Sequence, residues 1–388
     1  MQISPVELLI FQPTPFCNLN CSYCYLPDRK DSRILDVETV RVTLEKLKRE
    51  ALLAPEISVI WHAGEPMVVN TTKYSEFFDV IRQTVGDHCK VRHHFQTNAV
   101  LIDQKWCDFI RKHEIAIGVS IDGPEGVHDS KRKTWSGRGT WSQVTRGIER
   151  LVSNDIPFHT ISVVSESSLD CASEIFSFLR AMNPVQIGFN IEECEGANTS
   201  SSLDRNSERV DAFFRQVYRL AKSTSFDPPI REFDESYLAI ESGVGKEGNT
   251  QTRPFRIFSV SVTGEFSTFS PELLGFTSAG YGSLDLGNVR TDSPRKVASS
   301  SKFLKIFGDI EAGISKCQQS CEYYDLCGGG APANKLFETG TFNSAATRFC
   351  EFSVKIPRKI VLEDLESVLA QDCRAGSTGP IVPADRIG

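Results

Sequence analysis

Phe16-Cys17-Asn18-Leu19-Asn20-Cys21-Ser22-Tyr23-Cys24-Tyr25 gathers three cysteines into one short loop, directly after the first strand-like run. Cysteines packed this closely are poor disulfide partners for one another. They make a thiolate cup for a metal cluster, because a few residues of backbone can wrap one face of a compact cube. Three thiolates leave one position of a four-iron cluster unfilled, and an open coordination position separates a catalytic metal site from a structural one. Two plainer readings stand beside this one. A zinc knuckle needs a fourth ligand that the neighbouring residues do not supply, and the three cysteines could also be unrelated free thiols.

Outward from this loop, strand-like and helix-like segments alternate. Strands are expected over residues 7–12, 57–61, 91–95, 116–121, 158–164 and 185–191. Helices are expected over 37–53, 72–85, 103–112, 140–153, 171–181 and 205–223. Strict β-α alternation predicts an α/β fold, a parallel sheet curling into a partial (β/α)6 TIM-like barrel. The unusual polar residues fall at the carboxyl ends of these strands. The cysteine loop follows the first strand, and His62-Ala63-Gly64-Glu65-Pro66 follows the second. Asn98 follows the third; Ser120 and Asp122 close the fourth; Glu192 ends the sixth. That face is where α/β barrels keep their active sites.

Composition narrows the partners. The 388 residues are 40% hydrophobic and 24% charged, an ordinary globular balance with room for one large domain and a smaller one. A net charge of −7 argues against a nucleic-acid surface, which needs a basic excess. No apolar run reaches membrane-spanning length, and residues 1–16 lack the basic start and cleavage site of a signal peptide. Twelve cysteines without an export signal point to a reducing, cytoplasmic location and to metal or redox use. The chain starts only a few residues before the first strand, so no leader-binding domain is expected ahead of the barrel.

The second half loses the β-α rhythm. The expected division is a barrel over 1–225, a linker over 226–252, a cysteine-rich domain over 253–352, a C-terminal helix within 353–375 and a disordered tail over 376–388. A hairpin over 258–269 turns at Thr263-Gly264. Cys317, Cys321 and Cys327 precede three glycines, and Cys350 lies further on. Three close thiolates and a distant fourth can ligate one more cluster completely, or hold a structural zinc ion. Cys89, Cys107, Cys171, Cys194 and Cys373 read as ordinary thiols, and His62, His93 and His94 as packed or surface residues.

The run from Cys17 to Tyr25 resembles the radical S-adenosylmethionine (SAM) enzymes. That resemblance implies a [4Fe–4S] cluster on Cys17, Cys21 and Cys24, with SAM chelating the fourth iron and yielding a 5′-deoxyadenosyl radical that abstracts hydrogen. Ala63-Gly64-Glu65-Pro66 resembles the family's Gly-Gly-Glu-Pro motif, which implies that backbone and the Glu65 carboxylate receive the methionyl ammonium. Tyr23, Asn98, Ser120, Asp122 and Arg132 are implied cofactor-pocket residues, Arg132 for the SAM carboxylate and Asp122 alternatively as a turn cap. Glu65 and Arg132 could alternatively be plain loop residues.

The downstream cysteines resemble the SPASM extension of peptide-modifying members. Ala331 stands where another cysteine is usual, and the hairpin carries Ser267 and Ser270 with no cysteine. The resemblance implies two [4Fe–4S] clusters in all, one at SAM and one auxiliary on Cys317, Cys321, Cys327 and Cys350. Residues 11–21, 266–273 and 327–335 look most like cyclophane-forming maturases of glycine-rich repeat peptides. The implied substrate is a ribosomally made precursor peptide, crosslinked from a side-chain carbon to an aromatic ring. An electron donor such as flavodoxin or ferredoxin is implied, and Glu272 and Glu192 are candidate bases, unless each is simply a solvated acid. Competing readings are a sulfatase-maturing oxidase of Cys or Ser, and a non-catalytic iron–sulfur carrier.

Overall fold

The computed structural model describes residues 3–243 and 249–375. Six strands run parallel in chain order: β1 Val6–Phe11, β2 Leu53–Trp61, β3 Lys90–Thr97, β4 Ala116–Ser120, β5 Phe158–Val164 and β6 Gln186–Ile191. The helices between them are α1 Val37–Arg49, α2 Thr71–Val85, α3 Gln104–Lys112, α4 Glu125–Lys131, α5 Trp141–Ser153 and α6 Ala172–Ala181, with α7 Ser207–Ser223 after β6. The expected α/β partial barrel is therefore the observed one. Polar caps set several helix starts: Asp36, Asn70 and Asp103 each accept a backbone N–H of the first turn. Outside the sheet, Trp61 stacks on Phe77 at 5.2 Å, and both are fully buried with Tyr74. Burying such rings supplies much of the apolar area that offsets chain ordering.

The extension joins the same sheet. β7 Ile257–Val260 and β8 Glu265–Thr268 form the expected hairpin, turning at Gly264 with φ +92°. β7 also pairs parallel to β1, register Leu8 with Ile257 through Phe11 with Val260. With β11 Gly287–Asn288 on the far side of β8, the sheet has nine strands. A separate ladder pairs β9 Thr277–Ser278 with β10 Gly282–Ser283.

Two stretches read differently in the structure. Within the expected linker lies α8 Arg231–Ser242, with Ile230 bridging Ile187 of β6 and Phe233 fully buried. Proline, glycine and charge masked the helical spacing of Ile230, Phe233, Tyr237 and Ile240. Residues 244–248 of that span lie outside the described residues. The cysteine-rich segment is mainly helical: α9 Pro294–Val297, α10 Ser301–Ser320, α11 Tyr324–Cys327 and α12 Pro332–Thr339. A π-helical turn, Cys350–Lys355, leads into α13 Ile356–Ala375, which lies within the expected span. The expected tail, 376–388, lies outside the described residues. Among the described residues no helix is long and apolar enough to cross a membrane.

Candidate active site and auxiliary cysteine site

The cysteine loop is fastened to the barrel mouth by backbone. Cys17 N–H donates to Arg29 O at 3.1 Å, Asn20 N–H to Lys133 O at 2.7 Å and Ser22 N–H to Lys131 O at 3.0 Å. Trp135 Nε1 donates to Cys17 O at 2.9 Å. Burial pushes the Cys17 thiol up to about 12 and Cys21 to about 11, so without metal both hold their protons. Metal binding must release those protons, because thiolates are the ligands.

The loop after β2 clasps this one. Glu65 N–H donates to Phe16 O at 2.8 Å. Gly64, at φ +67°, leaves no room for a Cβ, which would drive into the carbonyl oxygens of Thr14 and Phe16. Ala63 sits at φ +71°, a left-handed conformation that suits the glycine it replaces in the motif.

The Glu65 carboxylate is held inside the protein by three donors. One oxygen accepts the Thr97 hydroxyl at 2.6 Å and Met67 N–H at 3.0 Å; the other accepts Asn98 N–H at 2.8 Å. It is 1% exposed, and burial raises its pKa against the pull of those three donors. Glu65 thus ties the β2 and β3 ends together. Pro66 opens a buried turn and accepts Tyr74 OH at 2.9 Å. Asn98 is likewise a fastener: its amide donates to Asn18 Oδ1 at 2.8 Å, and its oxygen accepts Val100 N–H.

A second buried network closes β4. Tyr23 OH donates to Asp122 at 2.6 Å, and Arg132 pairs with the same carboxylate at 3.0 Å. Burial disfavours the Arg132 charge, but Asp122 beside it keeps the guanidinium firmly protonated. Asp122 N–H donates to His128 Nδ1 at 3.3 Å, which fixes the other nitrogen as the protonated one. His128 Nε2 then donates to Thr140 Oγ1 at 3.1 Å, and Thr140 donates to Arg132 O. Burial pushes His128 down to about 4, so the ring is neutral. Ser120 accepts Gln96 Nε2 at 2.9 Å and keeps its own proton to donate.

The two candidate bases diverge. Glu192 is paired with Lys131 at 3.2 Å and accepts both the N–H and the hydroxyl of Ser202. It is a clamp between loops, neither a solvated acid nor a free base. Glu272 lies in a half-buried carboxyl group with Glu193 and Glu195, which the sequence reading missed although Glu192-Glu193-Cys194-Glu195 is an acidic run at a strand end. Asn334 of α12 donates to both Glu193 and Glu195, and Ser270 donates to Glu272. Lost solvation lifts all three carboxyls above the ordinary range; neighbouring carboxylates add to the rise at Glu193 and Glu195, and the Ser270 hydroxyl opposes it at Glu272. The half-buried Tyr25 phenol is within the field of Glu272, Glu195 and Cys24, and its OH meets His62 Nε2 at 3.1 Å. His62 is packed as expected, pushed down to about 4 by burial.

Downstream, Cys317, Cys321, Cys327 and Cys350 line one cavity of about 70 Å³. That is several times the roughly 15 Å³ a single water requires. Four soft sulfurs around so much space fit a cluster. No three His, Cys, Asp or Glu side chains among the described residues close on a single ion.

Residues 11–179 match the Radical SAM superfamily. An uncharacterized Synechocystis protein is 39% identical over 372 residues, 94% of this chain and 93% of that one. The chain carries a radical SAM domain. That domain implies a [4Fe–4S] cluster and SAM in this protein. It is also homologous to anaerobic sulfatase-maturating enzymes. The serine-type enzyme of Klebsiella aerogenes is 27% identical over 217 residues, spanning 55% of this chain and 54% of that enzyme. The fold matches native anSMEcpe with bound AdoMet and Cp18Cys peptide, TM-score 0.75 at 20% identity, over 95% and 99% of the two chains. It also matches Streptococcus suis SuiB bound to precursor peptide SuiA, TM-score 0.62 at 15% identity, over 89% and 76%.

Proposed function

We propose that this radical SAM protein is a peptide maturase that joins a side-chain carbon to an aromatic ring of a ribosomally made precursor peptide. Cys17, Cys21 and Cys24 would hold the [4Fe–4S] cluster, and Cys317, Cys321, Cys327 and Cys350 an auxiliary one. When bound, the first with SAM supplies a hydrogen-abstracting radical, and the second an electron acceptor.

The protein's own residues do the rest. No protein acceptor is hydrogen-bonded to the terminal nitrogens of Arg132 among the described residues, which leaves a fork for the SAM carboxylate. Asp122 and Tyr23 hold that fork still, and Ser120 offers a hydroxyl to the ribose. Glu272 is the base we favour. Rearomatising the coupled ring releases a proton, and a half-buried carboxylate with a raised pKa accepts one readily. The observation that carries the reading is this carboxyl group, whose field reaches Tyr25 of the cysteine loop and whose Glu272 is held by Ser270, in a segment that has Ser267 and Ser270 in place of cysteines.

A second reading, oxidation of a substrate serine or cysteine to an aldehyde, is favoured by the relation to sulfatase-maturating enzymes. Crosslinking and serine oxidation both remove two hydrogens, so mass alone does not separate them. The test is anaerobic turnover of a candidate peptide with SAM and a flavodoxin or ferredoxin donor. The crosslink predicts a two-hydrogen loss, a fragment gap across the ring, and no reaction with a hydrazide. A hydrazide adduct overturns it in favour of the aldehyde.

A further inference from the structure

The auxiliary cavity has a charged neighbour that the reaction scheme does not use. Lys335, on α12, is 2% exposed, and its ammonium lies 3.4 Å from Cys317 Sγ. Among the described residues that sulfur is its one hydrogen-bond partner, and no carboxylate pairs with it. Cys317 is itself 7% exposed. The carbonyl oxygens of Ala345 at 3.3 Å and Gly329 at 3.7 Å also approach the sulfur and add negative potential there.

A buried ammonium is costly unless an anion compensates it. A neutral thiol does not do so, whereas a cluster-bound thiolate does. The packing is fitted to this lysine. Gly330 lies against its chain, and a Cβ on Gly313 would stand 3.2 Å from the ammonium, behind the closer carbonyl oxygens of Phe342 and Ser344. Two other cations lie near the cavity and their fields reach its cysteines, but neither donates to a sulfur among the described residues. Lys355 pairs with Glu351 at 3.3 Å, and Arg358 donates to the carbonyls of Leu326 and Val354.

We infer that Lys335 sets the auxiliary cluster's reduction potential, through the Cys317 sulfur, so that the cluster accepts an electron from the substrate. This rests on the auxiliary-cluster reading above. Potential follows net charge and hydrogen bonds to the sulfurs. A fixed positive charge at one ligand stabilises the form that carries the extra electron, and so raises the potential. In the coupling step the ring adduct loses one electron to the auxiliary cluster and one proton to Glu272, and the cluster passes the electron to a one-electron carrier of the flavodoxin or ferredoxin class. Lys335 moves neither; it is a tuning residue.

The test compares Lys335→Gln and Lys335→Arg with wild type in the reconstituted full chain, by iron assay and a redox titration followed by EPR. The expected result is wild-type iron in both variants. In Lys335→Gln the auxiliary midpoint falls by at least the ~59 mV that equals a tenfold change for one electron. The SAM-cluster midpoint should stay put, and Lys335→Arg should restore most of the shift. A Lys335→Gln protein with full iron and an unmoved auxiliary midpoint overturns the inference. So does one that cannot hold the auxiliary iron, because the lysine then builds the site without tuning it. The two-cluster reading fails separately, if wild type holds only one cluster's iron and Cys350→Ala removes none.

Discussion

The two cysteine sites are built on opposite principles. The first hangs on strand ends, and backbone fixes it. Gly64 and Glu65 clasp the loop from β2, and Asn98 pins it from β3. The second sits among helices and is fixed by side chains: Cys317 and Cys321 at the end of α10, Cys327 in α11, Cys350 on a π-helical turn, and Lys335 against one sulfur. A site held by backbone tolerates little change in its scaffold and little in its ligands. A site held by side chains can be retuned one residue at a time.

The largest expected effect tests whether the two sites have separate duties. Cys24→Ala should abolish deoxyadenosine formation. Cys327→Ala should keep part of it while losing modified peptide and roughly half the iron. Chromatography of deoxyadenosine beside peptide mass spectrometry reads both. Full product from Cys327→Ala would erase the distinction.

Next come two glycines, one at each site, both with positive φ. A Cβ on Gly64 meets backbone carbonyls, which cannot move aside; a Cβ on Gly329, at φ +103°, meets the Ile314 side chain, which can. Gly64→Ala should cost about 4 kcal/mol, and Gly329→Ala about 2 kcal/mol, in denaturant unfolding. Equal losses would mean that the backbone clasp is no stiffer than the helical site.

Acid and base should loosen different parts. The barrel keeps three neutral histidines, His128 fully buried and His62 and His93 half-buried: lost solvation pushes His62 and His128 down to about 4, and His93 to about 3. A depressed histidine contributes stability that is present above about pH 6.5 and lost as pH falls through its folded value. His128 alone accounts for about 3 kcal/mol at most. The raised carboxyls of Glu193, Glu195 and Glu272 have the opposite sign: their contribution is full below about pH 4.5 and fades as pH rises. Hydrogen exchange should therefore show β3 and β4 amides losing protection first from pH 6 to 4. Amides of α12 and the segment after β8 should lose it first on the alkaline side. One common pattern on both sides would break the contrast.

What the sequence made legible follows the same division. Phe158–Val164 was read to the residue, and most other barrel elements to within a few, because the alternation of apolar strands and capped helices is local. The three barrel cysteines were legible for the same reason. The hold on Glu65 was not, since its partners Thr97 and Asn98 come from another strand end. Nor was the carboxyl group of Glu193, Glu195 and Glu272, which assembles from β6 and the segment after β8. The union of β7 with β1 spans about two-thirds of the chain, and nothing in the hairpin's own residues names its parallel neighbour. The helix α10 carries a readable signal in Phe303, Ile306, Ile310 and Ile314, after Ser300 as cap, yet no element was named there, because the cysteines and glycines that follow held the attention.

The smallest effect probes the backbone clasp where this chain departs from its motif. Ala63 holds φ +71°, where a methyl group costs about 1 kcal/mol over glycine. Glycine also frees the unfolded chain, which returns some 0.4–1 kcal/mol against the gain. Ala63→Gly should therefore leave the denaturation midpoint within about 0.5 kcal/mol of wild type, with SAM cleavage intact, since the backbone shape is already the one glycine prefers. A loss above about 1 kcal/mol would show that the methyl itself packs against the loop. The first site would then also rely on a side chain, and the contrast with the auxiliary site would narrow at its most rigid point.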